Sequence, residues 1–164
     1  MAGGMARGMD TQFYADDLNV GDSMPTLERR PTTVQLFRYC ATTWNSHRIH
    51  FDKDYAASEG YPDVLVQSHL HGAFLTSLCT TFAGRKGRLE RLSYAVRRFA
   101  TPGDVLTLVG EVTESVPRDG GALLTLTVRE VRQADDIVCA DGSADVFLPS
   151  RPADSAKQLA GNDR

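Results

Sequence analysis

The chain has 164 residues, enough for one ordinary hydrophobic core and too few to divide comfortably into two domains. Its 41% hydrophobic and 24% charged residues are the mix of a folded globular chain, which argues against a disordered or membrane-embedded class. The formal net charge of −3 comes without any Lys/Arg run or basic stripe, so the sequence lacks the electrostatic footprint of a nucleic-acid partner.

No stretch approaches the roughly 18 consecutive apolar residues of a membrane span, and residues 1–12 hold no apolar secretory segment, so a cytoplasmic protein with no membrane partner is expected. Residues 1–12 are rich in Gly, Met and Ala and read as a flexible tail, as do residues 150–164, which leaves a single domain over 13–149. Leu18 to Asp22 form a turn, and Met24-Pro25 leads into an extended piece ending near Arg30. A helix begins at Pro31-Thr32-Thr33, where a Thr can cap, and runs to Thr43 with Val34, Leu36, Phe37, Tyr39 and Cys40 as its apolar face. Residues 44–51 show no period. Asp52 is placed to cap a short helix over 53–58 that closes at Gly60, and Tyr61-Pro62 forces a turn.

From Val64 to Ala83 the chain is strongly apolar and ends on Gly84. Leu70, Ala73, Phe74, Leu78 and Phe82 line one side of a helix, with Leu75 and Cys79 widening the stripe, so this helix is expected to be buried. The period then changes to two over 88–100, 105–116, 122–132 and 137–148, separated by turn-forming clusters such as Pro117-Arg118-Asp119-Gly120-Gly121. Leu106, Leu108 and Val112, like Leu124, Leu126 and Val128, alternate with polar neighbours, giving an antiparallel meander with one apolar face. One buried helix ahead of long twisted strands, with no further layer to cover either, predicts an α+β hotdog fold: a single curled antiparallel sheet around a long central helix.

All four histidines fall between positions 47 and 71, in Asn45-Ser46-His47-Arg48-Ile49-His50-Phe51-Asp52 and Gln67-Ser68-His69-Leu70-His71-Gly72. A zinc site is the first chemistry such clustering raises, but the HExxH spacing is missing and the nearest cysteine belongs to another helix, so no metal is expected. Cys40, Cys79 and Cys139 are odd in number, far apart and set among apolar residues, which reads as buried free thiols in a reducing compartment.

The run from Trp44 to Asp52, with Tyr55-Ala56, Glu59-Gly60-Tyr61-Pro62 and Val64-Leu65-Val66-Gln67, resembles the signature of the MaoC-like hydratases and dehydratases. It is closest to the branch holding mesaconyl-CoA hydratase and the 3-hydroxyacyl-thioester dehydratases, over about thirty residues at the motif. The resemblance implies a hydro-lyase that hydrates an enoyl-CoA or dehydrates a 3-hydroxyacyl-CoA, mesaconyl-CoA-type substrates included. It implies an acyl-CoA thioester as substrate and no cofactor. In the wider family the motif reads D-x-N-P-x-H; its His falls on His50 and its Asp on Asn45, and the His-Gly pair that opens the central helix falls on Gln67 and Ser68.

On that mapping His50 is the general base and acid, since imidazole titrates near neutral pH. Asn45 orients water or substrate, because an amide cannot take a proton, and the Ser68 N–H stabilises the thioester oxygen. His47, Gln67, His69, Arg97 and Arg98 are candidate substrate contacts, set against plainer readings: His47 bonding its own loop, and the two arginines solvated on a strand. A sheet of this length is expected to pair with a second copy into a homodimer or higher oligomer, with a heterodimer as the alternative. Two rivals share the fold: an acyl-CoA thioesterase, which wants a carboxylate that position 45 lacks, and a noncatalytic subunit completing a partner's site.

Overall fold

The computed structural model describes residues 12–152. Five strands, β1 (Leu27–Arg29), β2 (Arg88–Val96), β3 (Leu106–Arg118), β4 (Gly121–Arg132) and β5 (Ile137–Pro149), form one sheet in the order β1-β3-β4-β5-β2, every neighbouring pair antiparallel. The expected meander holds for β3, β4 and β5. The first hairpin turns through Asp119–Gly120, with Gly120 at φ 74°, a conformation favouring glycine. The strand expected over 88–100 departs from that order: β2 lies at the far edge, against β5, and β1 closes the other edge on β3. It also ends early, at Val96, because the Arg97 and Arg98 N–H groups both turn onto the carbonyl of Cys139.

Three helices accompany the sheet: α1 (Thr33–Thr43), α2 (Lys53–Ser58) and α3 (Ser68–Ala83). The sheet holds α3 on its concave side, where β2, β3, β4 and β5 all touch it. Leu70, Phe74, Leu75, Leu78 and Phe82 are buried there against Leu108, Leu124, Leu126 and Val146 in one continuous core. Each such side chain stabilises the fold by about 1.5–3 kcal/mol on burial, which is how an amphipathic sheet face selects the helix that it wraps. Ala73, expected on the buried stripe, is exposed. The helix starts at Ser68; Val64 to Val66 ahead of it are extended, with the Leu65 N–H on the Ile49 carbonyl and the Val66 N–H on the Ala100 carbonyl.

Thr32 caps α1 through its hydroxyl, which accepts from the Gln35 N–H, and Trp44 ends it in a left-handed conformation at φ 57°. Only Leu36 and Cys40 of α1 are buried; Val34 and Phe37, expected on the inner face, point outward. The core takes one narrow i, i+4 edge of this helix. The tails expected at 1–12 and 150–164 fall mostly outside the described residues. At their inner ends, Gln12 donates to the Ala83 carbonyl and Arg151 pairs with Asp17. Among the described residues no helix is long and apolar enough to cross a membrane.

Candidate active site

The segment between α1 and α2 carries the histidine motif, and its backbone is fixed by its own side chains. Asn45 Oδ1 accepts from the His47 N–H at 3.2 Å, and His47 Nδ1 accepts from the Ile49 N–H at 3.4 Å, capping a single 3₁₀ turn over Arg48–His50. Asp52 then caps α2, as expected, with Oδ1 accepting from the Tyr55 N–H at 3.0 Å. Its other oxygen takes the Arg48 guanidinium at 2.6 Å; the Tyr55 N–H first and Arg48 second hold the Asp52 carboxyl below the usual carboxylate range.

His50 is half-buried, and its Nδ1 lies 2.9 Å from the carbonyl oxygen of Leu65. A carbonyl only accepts, so Nδ1 carries the proton and Nε2 is left with the lone pair. Burial pushes the imidazole below its ordinary pKa; the Leu65 carbonyl partly offsets this by favouring the charged ring, and the neighbouring His47 lowers it further. The net effect is a neutral ring with a basic nitrogen at physiological pH. Leu65 stands three residues before α3, so the same backbone that orients His50 delivers the helix start. The first intrahelical bonds of α3 come from the Leu70 and His71 N–H groups to the Gln67 carbonyl. The Ser68 N–H precedes them and remains available at the positive end of the helix dipole.

The remaining candidates separate. Gln67 is fully buried and turned away toward α1, its Nε2 donating to the Leu36 carbonyl at 2.9 Å and to Cys40 Sγ at 3.0 Å, a strut between two helices. His69 is exposed on the outer side of α3. Arg97 spends its guanidinium on Asp141 at 2.8 Å, and Arg98 donates to the Arg97 carbonyl. Two clefts meet at Trp44, Asn45 and Ser46: a polar one of about 510 Å³ walled by His47, Arg48 and Tyr55, and an apolar one of about 250 Å³ walled by Phe37, Cys40, Ala41 and Phe51. Neither is lined by Gln67, Ser68, His69, Arg97 or Arg98, nor by His50 itself. The His50 ring centroid is 6.0 Å from that of His47, which lines the polar cleft.

Sequence reasoning passed over a buried pair. His71 and Glu130 have no exposed side-chain surface, and His71 Nδ1 lies 2.5 Å from Glu130 Oε1. A signal was present, since Glu130 continues the inward alternation of Leu124, Leu126 and Val128. The cysteines are free and buried as expected; burial pushes the Cys79 and Cys139 thiols up to about 11, which leaves both unreactive as thiolates. Among the described residues no three His, Cys, Asp or Glu side chains gather as a metal site.

An antiparallel sheet wrapped on one buried helix, with a histidine motif beside the start of that helix, is the hotdog fold of the MaoC-like hydratases and dehydratases. The R-hydratase PhaJ1 of Pseudomonas aeruginosa superposes with a TM-score of 0.76 at 21% identity, over 85% of this chain and 88% of that one. The MaoC-like dehydratase of Rhodospirillum rubrum does so at 0.73 and 19%, over 85% and 99%. The profile of the hydroxyacyl-thioester dehydratase type 2 family matches residues 16–101, and the chain belongs to that family. Mesaconyl-C(4)-CoA hydratase of Chloroflexus aurantiacus is 43% identical over 56 residues, which are 34% of this chain and 20% of that relative's length.

Proposed function

We propose that this protein is a hydro-lyase that adds water across the double bond of an enoyl-CoA thioester, or removes it from a 3-hydroxyacyl-CoA, without a cofactor. The observation that carries the reading is the Leu65 carbonyl on His50 Nδ1, which leaves Nε2 as a fixed, unprotonated acceptor. In hydration, Nε2 takes a proton from water as the oxygen bonds to C3; the imidazolium then returns that proton to C2. The Ser68 N–H is the donor for the negative charge that develops on the thioester oxygen between these events. Asn45 has its carbonyl committed to the His47 backbone, so it offers only its amide nitrogen, as a donor to bound substrate.

Family membership supports the reaction type. The apolar cleft beside Asn45 has no charged wall, which favours an uncharged acyl group over a carboxylated one of the mesaconyl kind. Neither cleft holds a carboxylate to activate water for thioester hydrolysis, which argues against the thioesterase alternative. The strands β2 and β1 are the two sheet edges, and pairing along one of them with a second copy is the expected oligomer.

The deciding experiment follows absorbance of the conjugated thioester with a panel of enoyl-CoA esters. Wild type is expected to bleach the signal, and His50→Ala to lose that activity with an unchanged circular dichroism spectrum. Full turnover by His50→Ala, or release of free thiol in place of hydration, overturns the proposal.

A further inference from the structure

His47 and His50 are held in opposite tautomers. His47 Nδ1 accepts from the Ile49 N–H and so bears no proton, which puts the ring N–H on Nε2. His50 Nδ1 faces the Leu65 carbonyl and bears the proton, which puts the lone pair on Nε2. Their ring centroids are 6.0 Å apart, with the planes inclined at 60°. With each Nδ1 turned to the backbone, the ring nitrogens left to share a water are the two Nε2 atoms of these neighbouring rings. Water has the matching valence: it donates to one ring, accepts from the other and keeps a lone pair for carbon.

We infer that His47 is a second catalytic residue, whose Nε2–H holds the oxygen that joins or leaves C3 while His50 Nε2 exchanges its proton. The inference rests on the hydro-lyase reading above. The balance is simple. One water proton passes to His50 Nε2, the oxygen–C3 bond forms, and the same proton goes on to C2; His47 keeps its proton throughout, because a neutral imidazole that gave up Nε2–H would be left as an anion. In the reverse direction the His47 N–H stabilises the departing oxygen as His50 protonates it. An N–H donor fixed by its own cap needs no reorganisation during the reaction, the condition under which such donors contribute most. The exposed position of His47 on the polar cleft suits this role, since its Nε2 edge has to meet a substrate and not a packed core.

The two ring nitrogens of His47 can be tested separately. His47→Ser keeps a side-chain oxygen suited to capping the Arg48–His50 turn and removes the reach of Nε2. His47→Gln places an amide N–H near the Nε2 position and is a poor cap. Each variant is compared with wild type and with His50→Ala by kcat for enoyl-CoA hydration, KM, and thermal unfolding. The expected result is a fall in kcat of about 10²–10³-fold for His47→Ser at near-native melting temperature, the size seen when one such donor is removed. His47→Gln is expected to recover at least about tenfold of that loss while melting lower than His47→Ser. If His47→Ser retains wild-type kcat, or His47→Gln is no better than His47→Ser, the inference falls. In either case His50→Ala reports on the wider reading independently: an inactive His50→Ala with no split at position 47 removes only the role given to His47.

Discussion

Replacing Glu130 with Ala should be among the single changes most damaging to stability. Both side chains of the His71–Glu130 pair are fully excluded from solvent, and His71 Nε2 and Glu130 Oε2 have no hydrogen-bond partner among the described residues. The one bond between them, at 2.5 Å, is therefore the only internal compensation for taking two strongly polar groups out of water. Removing one partner from such a pair costs about 3–5 kcal/mol, because the other is left buried and unpaired. For a chain of this size each kcal/mol moves the melting temperature by about 2–4 °C, so Glu130→Ala should melt roughly 6–20 °C below wild type. Glu130→Gln keeps an oxygen that can accept from His71 Nδ1 and should lose much less, about 1–2 kcal/mol. Changing both residues to Leu should come close to wild type, since nothing polar is then stranded. Urea unfolding with a constant slope measures all three. A loss below about 1 kcal/mol in Glu130→Ala, or equal losses in the Ala and Gln variants, would refute the account of the pair as a buried mutual dependence.

Four further outcomes follow. Because burial holds the His50 imidazole below the ordinary value of about 6.5, the acid limb of kcat/KM should fall below pH 6.5, with activity full above it and lost as protons reach Nε2. The linked stability has the same sign: it is present above the unfolded imidazole value and declines as pH drops through the folded one, so unfolding at pH 5 against pH 7.5 should show less destabilisation from acid in His50→Ala than in wild type. Asn45→Asp keeps the acceptor on the His47 N–H but brings a negative charge beside the histidines, and should move the acid limb of the same profile upward. Gly72→Ala should destabilise by about 1–3 kcal/mol in thermal unfolding, since an added Cβ there runs into the Tyr94 ring and hydroxyl.

The fold was legible where burial imposes a period. The apolar stripe of α3 and the alternation of β3 and β4 emerged because each position faces either the core or water, and the residue types follow that split. The place of β2 was not legible, because its residues are only partly buried at an edge and carry no mark of which strand they adjoin. Sheet order is a long-range choice, seen here in the pairing of β2 with β5 from Arg88–Phe147 to Val96–Ala140. The outward turn of Phe37 and Val34 was missed for a related reason: an apolar residue on a helix reads as core unless its neighbour in space is known. At the site, His50 stood out by its motif, but the group that sets its tautomer is a backbone carbonyl, which has no signature in side-chain identity.

What the structure adds to the motif is a division of hydrogen-bonding sense. Position 45 lacks the carboxylate of the wider pattern, and the amide in its place turns its oxygen to its own loop. His47 likewise turns its accepting nitrogen to the backbone. That leaves the Asn45 amide and the His47 Nε2–H as donors on the polar cleft, with His50 Nε2 the unprotonated nitrogen of the neighbouring ring. Under the proposed hydro-lyase reading, acid–base duty rests on the His50 imidazole and the donors meet the negative charge, a division that the Asn45→Asp profile tests.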